Sequence, residues 1–294
     1  MDGQRLSEDA WRARRAAHEA RVDAWTGPHL ERARRGQKHP VEDFLFTYYS
    51  FRPAQLRRWS PGVGVVCEGA AELLGQTGWT AVDGGAVVGP APEGRLRTAT
   101  WVADLLRATA ARPAHLGCLG LHEWAMVYRQ PPEQVRHAAV PLRLGAAGTD
   151  AVVEALPVRC SHFDAFRFFT DPARPRNALQ PTRDSQLALE QPGCLHATMD
   201  LYKWAYKLWP WVPSELVADC FALARKVREL DMRASPYDLS EHGYEPVRIE
   251  TAEGRAEYVA TQRSFSERGV GLRARLLDAV EAVLAGGVGT ITVP

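Results

Sequence analysis

Apolar residues recur at helical intervals among many arginines at the start of the chain. Trp11 and Trp25 belong to this apolar pattern, and Ser7 stands where a serine commonly caps a helix. The pattern predicts a helical arm over residues 7–36. We expect Pro28 to break this helix, because proline lacks the backbone N–H that a helix interior needs.

An aromatic segment follows at residues 39–53, with the sequence HPVEDFLFTYYSFRP. Pro40 suits the first position of a helix, and the density of aromatic rings predicts burial. We therefore expect a helix here that carries His39 and Asp43 one turn apart and that ends or bends at Pro53.

Residues 60–98 change to short apolar runs that are rich in glycine and valine. The turn Asp83-Gly84-Gly85 between two such runs predicts a strand–turn–strand unit. We predict two further short strands at residues 140–145 and 246–250. Periodic apolar positions predict the remaining helices, over residues 99–111, 115–129, 184–190, 194–208, 214–232, 252–267 and 270–285.

The chain shows no internal repeat, no low-complexity tract and no flexible linker. We therefore predict one helix-rich α+β domain with a small β-sheet over residues 1–294, of which residues 1–36 form the helical arm. Strict βαβ alternation with a GxGxxG motif is absent, which argues against a Rossmann fold. A GxxxxGK[ST] motif is also absent, which excludes a standard P-loop nucleotide site.

The 294 residues carry 36 basic and 35 acidic side chains, which gives a formal net charge of +1. This balance provides no global field that would attract a polyanion, so any contact with nucleic acid has to come from a local patch. Arginine accounts for 32 of the basic residues and lysine for 4. Arginine binds phosphate well but cannot form a Schiff base, so few residues could act as amine nucleophiles.

No window reaches the roughly 18 consecutive apolar residues of a transmembrane helix, and the N-terminus is polar from its second residue. We therefore expect no signal peptide, no membrane partner and a cytoplasmic location. The five cysteines are widely spaced and include no CxxC pair. This spacing predicts reduced, mostly buried thiols rather than a zinc ribbon or a disulfide framework.

Three pairs of a histidine and an aspartate stand close in the sequence: His39 with Asp43, His162 with Asp164, and His196 with Asp200. In a helix, the four-residue spacing of the first and third pairs puts both side chains on one face. There they could share a water, a ligand or a metal ion. For each pair, a buried hydrogen-bonded core pair is the structural alternative.

The aromatic segment offers a carboxylate beside rings that could bind a planar base. A carboxylate in partly apolar surroundings, such as Asp43, could activate water or stabilise a cation. We predict that Phe46, Tyr48 and Tyr49 wall the pocket and that Arg52 contacts DNA. An aromatic core helix with a satisfied aspartate is the alternative.

Residues 171–183 are rich in proline and arginine, which predicts a stiff loop. Between residues 159 and 183, five arginines stand against two aspartates, a local surplus of three positive charges. Interleaved phenylalanines make this stretch suitable for phosphate and base contacts, and a solvated surface loop is the alternative. The DNA-binding residues predicted here are Arg167, Arg174, Arg176 and Arg183.

Lys203 lies among tryptophans in the segment LYKWAYKLWPWVP, residues 201–213. The segment could form a stacking surface on which Lys203 contacts DNA. The helical spacing of Trp204 and Leu208 instead favours a place in the core.

Four blocks of the sequence carry a resemblance to known proteins: HPVEDFLFTYYSFRPAQLRRWSPG, CSHFDAFRFFT, LEQPGCLHATMDLYKWAYKL and LDMRASPYDL. Together they resemble a bacterial, largely actinobacterial family whose members are commonly labelled 3-methyladenine DNA glycosylases. The resemblance runs from about residue 11 to residue 285. The family is also similar to an antiviral DNA glycosylase that acts on glucosylated 5-hydroxymethylcytosine in phage DNA, which implies a large base pocket and a defence role.

We predict a monofunctional DNA glycosylase that flips a modified base out of duplex DNA and hydrolyses its N-glycosidic bond. The base would be glucosylated 5-hydroxymethylcytosine in antiviral defence or an alkylated purine in DNA repair. Asp43 or Asp164 would be the catalytic carboxylate, with no metal or other cofactor. The base pocket would also contain His39, His162, His196 and Asp200.

Two alternatives stay open. The His–Asp pairs could assemble a metal site in an enzyme that acts on a small molecule. A nucleic-acid-binding protein without catalytic activity is the other alternative, and the predicted burial of the His–Asp pairs argues mildly against it.

Overall fold

The computed structural model describes residues 4–131 and 140–286. These residues form eleven α-helices and one small mixed β-sheet, which confirms the prediction of a helix-rich α+β fold. The helices are α1 (Glu8–Arg34), α2 (Phe44–Tyr48), α3 (Pro53–Arg57), α4 (Glu93–Ala110), α5 (Leu121–Ala125), α6 (Gly145–Ala155), α7 (Phe163–Phe166), α8 (Gln186–Leu189), α9 (Leu195–Lys207), α10 (Ser214–Arg233) and α11 (Ala252–Gly286).

Four strands make up the sheet in the order β1-β2-β4-β3, with β1 and β2 parallel and the other pairs antiparallel. The strands are β1 (Gln4–Leu6), β2 (Val65–Glu68), β3 (Trp79–Val82) and β4 (Gly85–Val88). The predicted strand–turn–strand unit is therefore confirmed. Gly84 takes the left-handed conformation in the turn, at φ 70°. A side chain at Gly85 would lie 2.3 Å from the carbonyl oxygen of Cys67 on the neighbouring strand.

Helix α1 begins as predicted, because the hydroxyl of Ser7 accepts a hydrogen bond from the backbone N–H of Ala10 at 3.4 Å. The predicted break at Pro28 is wrong, since the helix continues to Arg34. Side-chain contacts hold the helix on both sides of the proline. Trp25 packs on Phe221 before it, and two residues beyond it, His29 and Arg32, bond to the Asp43 carboxylate.

The predicted helix over residues 39–53 is mostly absent, and only Phe44–Tyr48 is helical there. Local side-chain hydrogen bonds replace the helix before this point. A carboxylate oxygen of Asp43 accepts the backbone N–H of His39 at 2.8 Å, and the His39 ring accepts the N–H groups of Val41 and Glu42. Such bonds offer the backbone an alternative to helical pairing.

Other predicted boundaries are also wrong. The helix over 99–111 begins earlier, at Glu93, and the one over 115–129 shrinks to α5 because Leu119 and Gly120 adopt left-handed conformations. Residues 140–145 form one isolated bridge between Leu142 and Tyr237, and residues 246–250 form no strand.

The predicted pair of C-terminal helices is one continuous helix, α11. Two glycines, Gly269 and Gly271, lie inside the helix near the predicted break. One of them, Gly269, packs so closely against Thr198 that an added side chain would come within 3.1 Å of it. The glycine is therefore explained by close packing rather than by a turn.

The described residues fall into two compact units. The first unit contains residues 4–107, 201–222 and 271–286, and the second contains residues 108–131, 140–200 and 223–270. The single-domain prediction stays a prediction. Among the described helices, none combines the length and the apolar character that would let it cross a membrane.

Each unit has its own buried aromatic core. In the first, the rings of Trp11 and Trp59 stack at 6.3 Å, and Tyr202 packs edge-on against Phe221. Buried aromatic side chains of the second include Trp124, Tyr128, Tyr237 and Tyr258. The cysteines are free thiols, and of the five only Cys118 is not fully buried.

Candidate functional site

Histidines and carboxylates meet in the interior of the second unit, in what we call the histidine–carboxylate cluster. Its members come from α5, α9, α10 and the loops beside α7 and α8. All of them except His196 are buried. The cluster consists of His122, Glu123, His162, Glu190, His196, Asp200, Arg228 and Asp231.

The first half of the cluster joins α5 to α10. His122 Nε2 lies 2.9 Å from Asp231 Oδ1, and the two side chains are only 1% and 0% exposed. The guanidinium of Arg228 donates to Glu123 at 2.7 Å and to the other oxygen of Asp231 at 3.2 Å. These contacts compensate charges that would be costly to bury alone.

The second half centres on His162, which precedes α7. Its Nε2 lies 3.3 Å from Asp200 Oδ2 and 3.4 Å from Glu190 Oε1. The amide of Gln186 donates to the same oxygen of Glu190 at 2.5 Å. Two buried carboxylates therefore face one imidazole nitrogen.

His196 connects the two halves. Its ring centroid is 4.4 Å from that of His122 and 5.3 Å from that of His162. It keeps some accessible surface, although protein atoms surround the ring on most sides. This burial, followed by the charge of His122, lowers the pKa of His196 well below its usual value. The imidazole is therefore neutral at physiological pH and has a lone pair to offer.

The His122–Asp231 contact is an ion pair at neutral pH. Burial alone would lower the pKa of His122, but the negative charge of Asp231 raises it well above its usual value. Burial alone would raise the pKa of Asp231, but His122 above all, together with His196 and Arg228, holds it below its usual range.

Backbone geometry and hydrogen bonds fix the elements that carry these side chains. The left-handed Gly120 turns the chain into α5, and the indole N–H of Trp124 bonds to the carbonyl of Ala234 beyond α10 at 2.8 Å. Arg112 donates to the carbonyl of Glu190 at 2.8 Å. The entry to α9 is held by Gln262, which donates to the carbonyl of Gly193 at 2.7 Å.

Asp164 lies two residues beyond His162 and belongs to a different environment. Its side chain is 11% exposed and lies 3.4 Å from the guanidinium of Arg167 and 3.7 Å from that of Arg183. Both arginines are exposed, and each guanidinium also lies over a phenylalanine ring: Phe168 for Arg167 and Phe163 for Arg183. The predicted site residues Asp164, Arg167 and Arg183 therefore lie close together.

The rest of the arginine segment divides into exposed and structural side chains. Arg174 is 42% exposed and lies near the fully exposed Asp171. Arg176 instead donates to the carbonyls of Val153 and Glu154 on α6, which anchors the loop. The predicted loop over 171–183 is confirmed apart from a short 3-10 turn at Arg174–Arg176.

In the first unit, Asp43 has a different environment. Its carboxylate accepts hydrogen bonds from Arg32 at 2.6 Å, His29 at 2.9 Å and the backbone N–H of His39 at 2.8 Å. His39 and Asp43 do not share a helical face, because residues 39–43 precede α2. The Asp43 carboxylate ties the end of α1 to the start of α2.

The predicted aromatic pocket residues pack against other rings of the first unit. Phe46 stacks on His29 at 4.5 Å, and Tyr48 stacks on Phe44 at 5.0 Å. Tyr49 is buried against Tyr202. Arg52 is exposed, and the ammonium of Lys203 lies 4.5 Å from the ring centre of Trp204.

Sequence reasoning brought His162, His196 and Asp200 into the site but missed His122, Glu190 and Asp231 as their partners. A signal existed in LGLHEWAMV, where two ionisable residues interrupt an apolar run. Buried ionisable residues need partners, so this pair should have indicated an interior polar site.

A surface cleft of about 470 Å³ opens elsewhere, in the first unit. Its lining includes Arg15, Arg57 and Glu19, and both arginines are ion-paired with acidic side chains. None of the predicted site residues lines it, so it plays no part in the function proposed below.

Comparisons with protein-family models, curated proteins and solved structures found no match to this chain. The resemblance to the glycosylase family therefore stays a prediction.

Proposed function

We propose that the chain is a DNA N-glycosylase that acts on a modified base in duplex DNA, with Asp164 as its catalytic carboxylate. The observation that supports this is the position of Asp164, a largely buried carboxylate between two exposed arginines of the arginine-rich segment. The arginines would bind the phosphates beside the extruded nucleotide, and the carboxylate would face its sugar.

The reaction needs one carboxylate and one water. As the base leaves with the electrons of the N-glycosidic bond, positive charge develops on the deoxyribose, and ionised Asp164 stabilises it. Water then adds to the sugar carbon and gives its proton to the carboxylate, which passes it to the anionic base or, when the base leaves neutral, to solvent. The products are the free base and an abasic site, so no lysine Schiff base is required.

We prefer Asp164 to Asp43 as the catalytic carboxylate because the two side chains have different hydrogen-bonding partners. Three donors already occupy the Asp43 carboxylate within the protein, whereas the arginines near Asp164 are exposed and could exchange their contact for phosphate. The resemblance supports glucosylated 5-hydroxymethylcytosine or an alkylated purine as the base, in antiviral defence or DNA repair in the cytoplasm.

Base release from defined duplexes tests the proposal. Duplexes that contain unmodified, alkylated, hydroxymethylated or glucosylated bases are incubated with the protein, and abasic sites are revealed by alkaline strand cleavage. We expect product on one modified duplex and loss of at least 100-fold in rate for Asp164→Asn. Asp171→Asn is the matched control, because Asp171 is a fully exposed aspartate of the same arginine-rich segment. Equal rates for the two variants would exclude Asp164 as the catalytic carboxylate.

The histidine–carboxylate cluster favours a second candidate, a metal-dependent enzyme that acts on a small molecule. It has three imidazoles and four carboxylates in one place, which is the usual ligand set of such enzymes. Absence of product on every duplex would leave this candidate or a DNA-binding protein without catalysis. Duplex binding without base release would favour the latter.

A further inference from the structure

The distance between His122 and Asp231 suits two ligands of one metal ion. With metal–ligand bonds of about 2.1 Å, two ligand atoms lie about 3.0 Å apart at a right angle and about 3.4 Å apart at a tetrahedral angle. His122 Nε2 and Asp231 Oδ1 are 2.9 Å apart, and His196 offers a third ligand atom within 4.8 Å of both.

The angle of the His122–Asp231 contact is as informative as its length. Although the two atoms are 2.9 Å apart, neither forms a hydrogen bond of acceptable geometry. In a buried ion pair, an aligned hydrogen bond would be the stabilising arrangement. Once the His122 proton is displaced, the two atoms are close enough to bind a common ion.

The charges of the cluster also favour a cation. Its eight members include four carboxylates and one guanidinium, that of Arg228. The four carboxylates therefore outnumber the one fixed positive charge of the cluster. A divalent ion bound at His122 in place of its proton would add one positive charge in surroundings where uncompensated negative charge is costly.

Neighbouring groups orient the ligands as in metalloproteins. Arg228 holds Asp231 by the oxygen that faces away from His122, and the thiol of Cys118 lies 3.9 Å from His122 Nδ1. Such contacts fix the orientation of ligating carboxylates and imidazoles. Because His196 keeps accessible surface, an ion could exchange at this side of the cluster.

We propose that His122, His196 and Asp231 bind one divalent transition-metal ion. Two imidazoles and one carboxylate suit iron(II), manganese(II), cobalt(II) or zinc(II), and three ligands leave coordination positions open. The proposal goes beyond the glycosylase function, which needs no metal.

Cobalt(II) alone is the probe, because its visible absorption reports coordination directly. The full-length protein is dialysed against a chelator, and Co²⁺ is then titrated while absorbance and bound metal per chain are measured. We expect one Co²⁺ per chain, and an increase in the thermal unfolding temperature of the wild type when the ion is present.

Three variants assign the ligands. His196→Gln and Asp231→Asn should weaken Co²⁺ binding by at least about 100-fold. Glu190→Gln is the matched control: it removes a buried carboxylate of the second half and should change the affinity by less than tenfold. Circular dichroism establishes which variants are folded. The His196→Gln variant is the one least expected to unfold, because His196 is the only one of the three ligands that keeps accessible surface.

Two results would overturn the proposal. One is wild-type protein that binds less than about a tenth of an equivalent of Co²⁺ and shows no change in unfolding temperature. The other is a folded His196→Gln variant that binds as tightly as the wild type. Loss of binding in Glu190→Gln with retention in His196→Gln would likewise reject these three ligands.

Discussion

His122 on α5 and Asp231 on α10 form a buried ion pair in which Nε2 and Oδ1 are 2.9 Å apart. Arg228 completes the arrangement from the next turn of α10 and reaches back to Glu123. The interior of the second unit thus contains paired charges, and each charge offsets the energetic cost of burying its partner. Removal of any one partner leaves the others uncompensated.

The first prediction concerns this pair. Asp231→Asn should lower the free energy of unfolding of the metal-free protein by about 3–5 kcal/mol, since it leaves His122 and Arg228 as buried cations with a missing counter-charge. Chemical denaturation at neutral pH measures the change. Glu229→Gln, an exposed change on the same helix, should alter stability by less than about 0.5 kcal/mol. Equal stability of the two variants would contradict the ion-pair account.

The second prediction concerns pH. Burial alone would raise the pKa of Asp43, but hydrogen bonds from Arg32, His29 and the His39 backbone bring it below the ordinary value of 3.8. The stabilisation from this carboxylate is therefore complete above pH 3.8 and is lost as the pH falls through the lower pKa of the folded state.

Asp43→Asn should reduce stability at neutral pH by about 2 kcal/mol and flatten its decline in acid. Urea denaturation at a series of pH values measures both effects. Glu31→Gln serves as the control, because Glu31 is an exposed carboxylate in the last turns of α1. If the stability of the wild type and of Asp43→Asn fell in parallel as the pH is lowered, the Asp43 carboxylate would not be the cause of the acid destabilisation.

The third prediction concerns DNA contact. Arg167 and Arg183 are 44% and 68% exposed, so both guanidinium groups could reach phosphates. Replacing both with alanine should reduce the slope of log affinity against log salt by about 2. Fluorescence anisotropy with a labelled duplex measures this slope. Arg129→Ala is the control, since Arg129 is exposed but paired with Glu154. An unchanged slope would remove these arginines from the interface.

The fourth prediction concerns the anchor of the arginine segment. The amide of Asn177 accepts the N–H of Cys160 at 2.7 Å and donates to its carbonyl at 2.9 Å, both buried. Asn177→Ala should lower stability by about 2 kcal/mol and speed hydrogen exchange in residues 160–183. Gln180→Ala, which removes a more exposed amide of the same loop, should cost less than about 1 kcal/mol.

Local structure could be predicted from the sequence where it depends only on residues of the same segment. The Asp83-Gly84 turn needs only a glycine with positive φ between apolar strands, and Ser7 needs only a free N–H to cap. Helices α9 and α10 were likewise predicted, because their apolar spacing is long and regular.

Tertiary contacts decided what the sequence did not reveal. Pro28 lies inside α1 because packing and ion pairs on both sides hold the helix. The cluster depends on partners far apart in the chain, such as Glu123 and Arg228, which are separated by 105 positions. No spacing rule connects such residues, so only three of the eight cluster members could be anticipated.

The thiols give this chain a built-in reporter. Burial raises the pKa of Cys67 to about 11 and that of Cys220 to about 12, and the pKa values of Cys160 and Cys194 are raised further. These four side chains are therefore shielded from maleimide reagents while the protein is folded. Cys118 alone among the five keeps accessible surface, 3.9 Å from the His122 ring. A fluorophore or spin label attached there would report on the neighbourhood of His122 without an engineered cysteine.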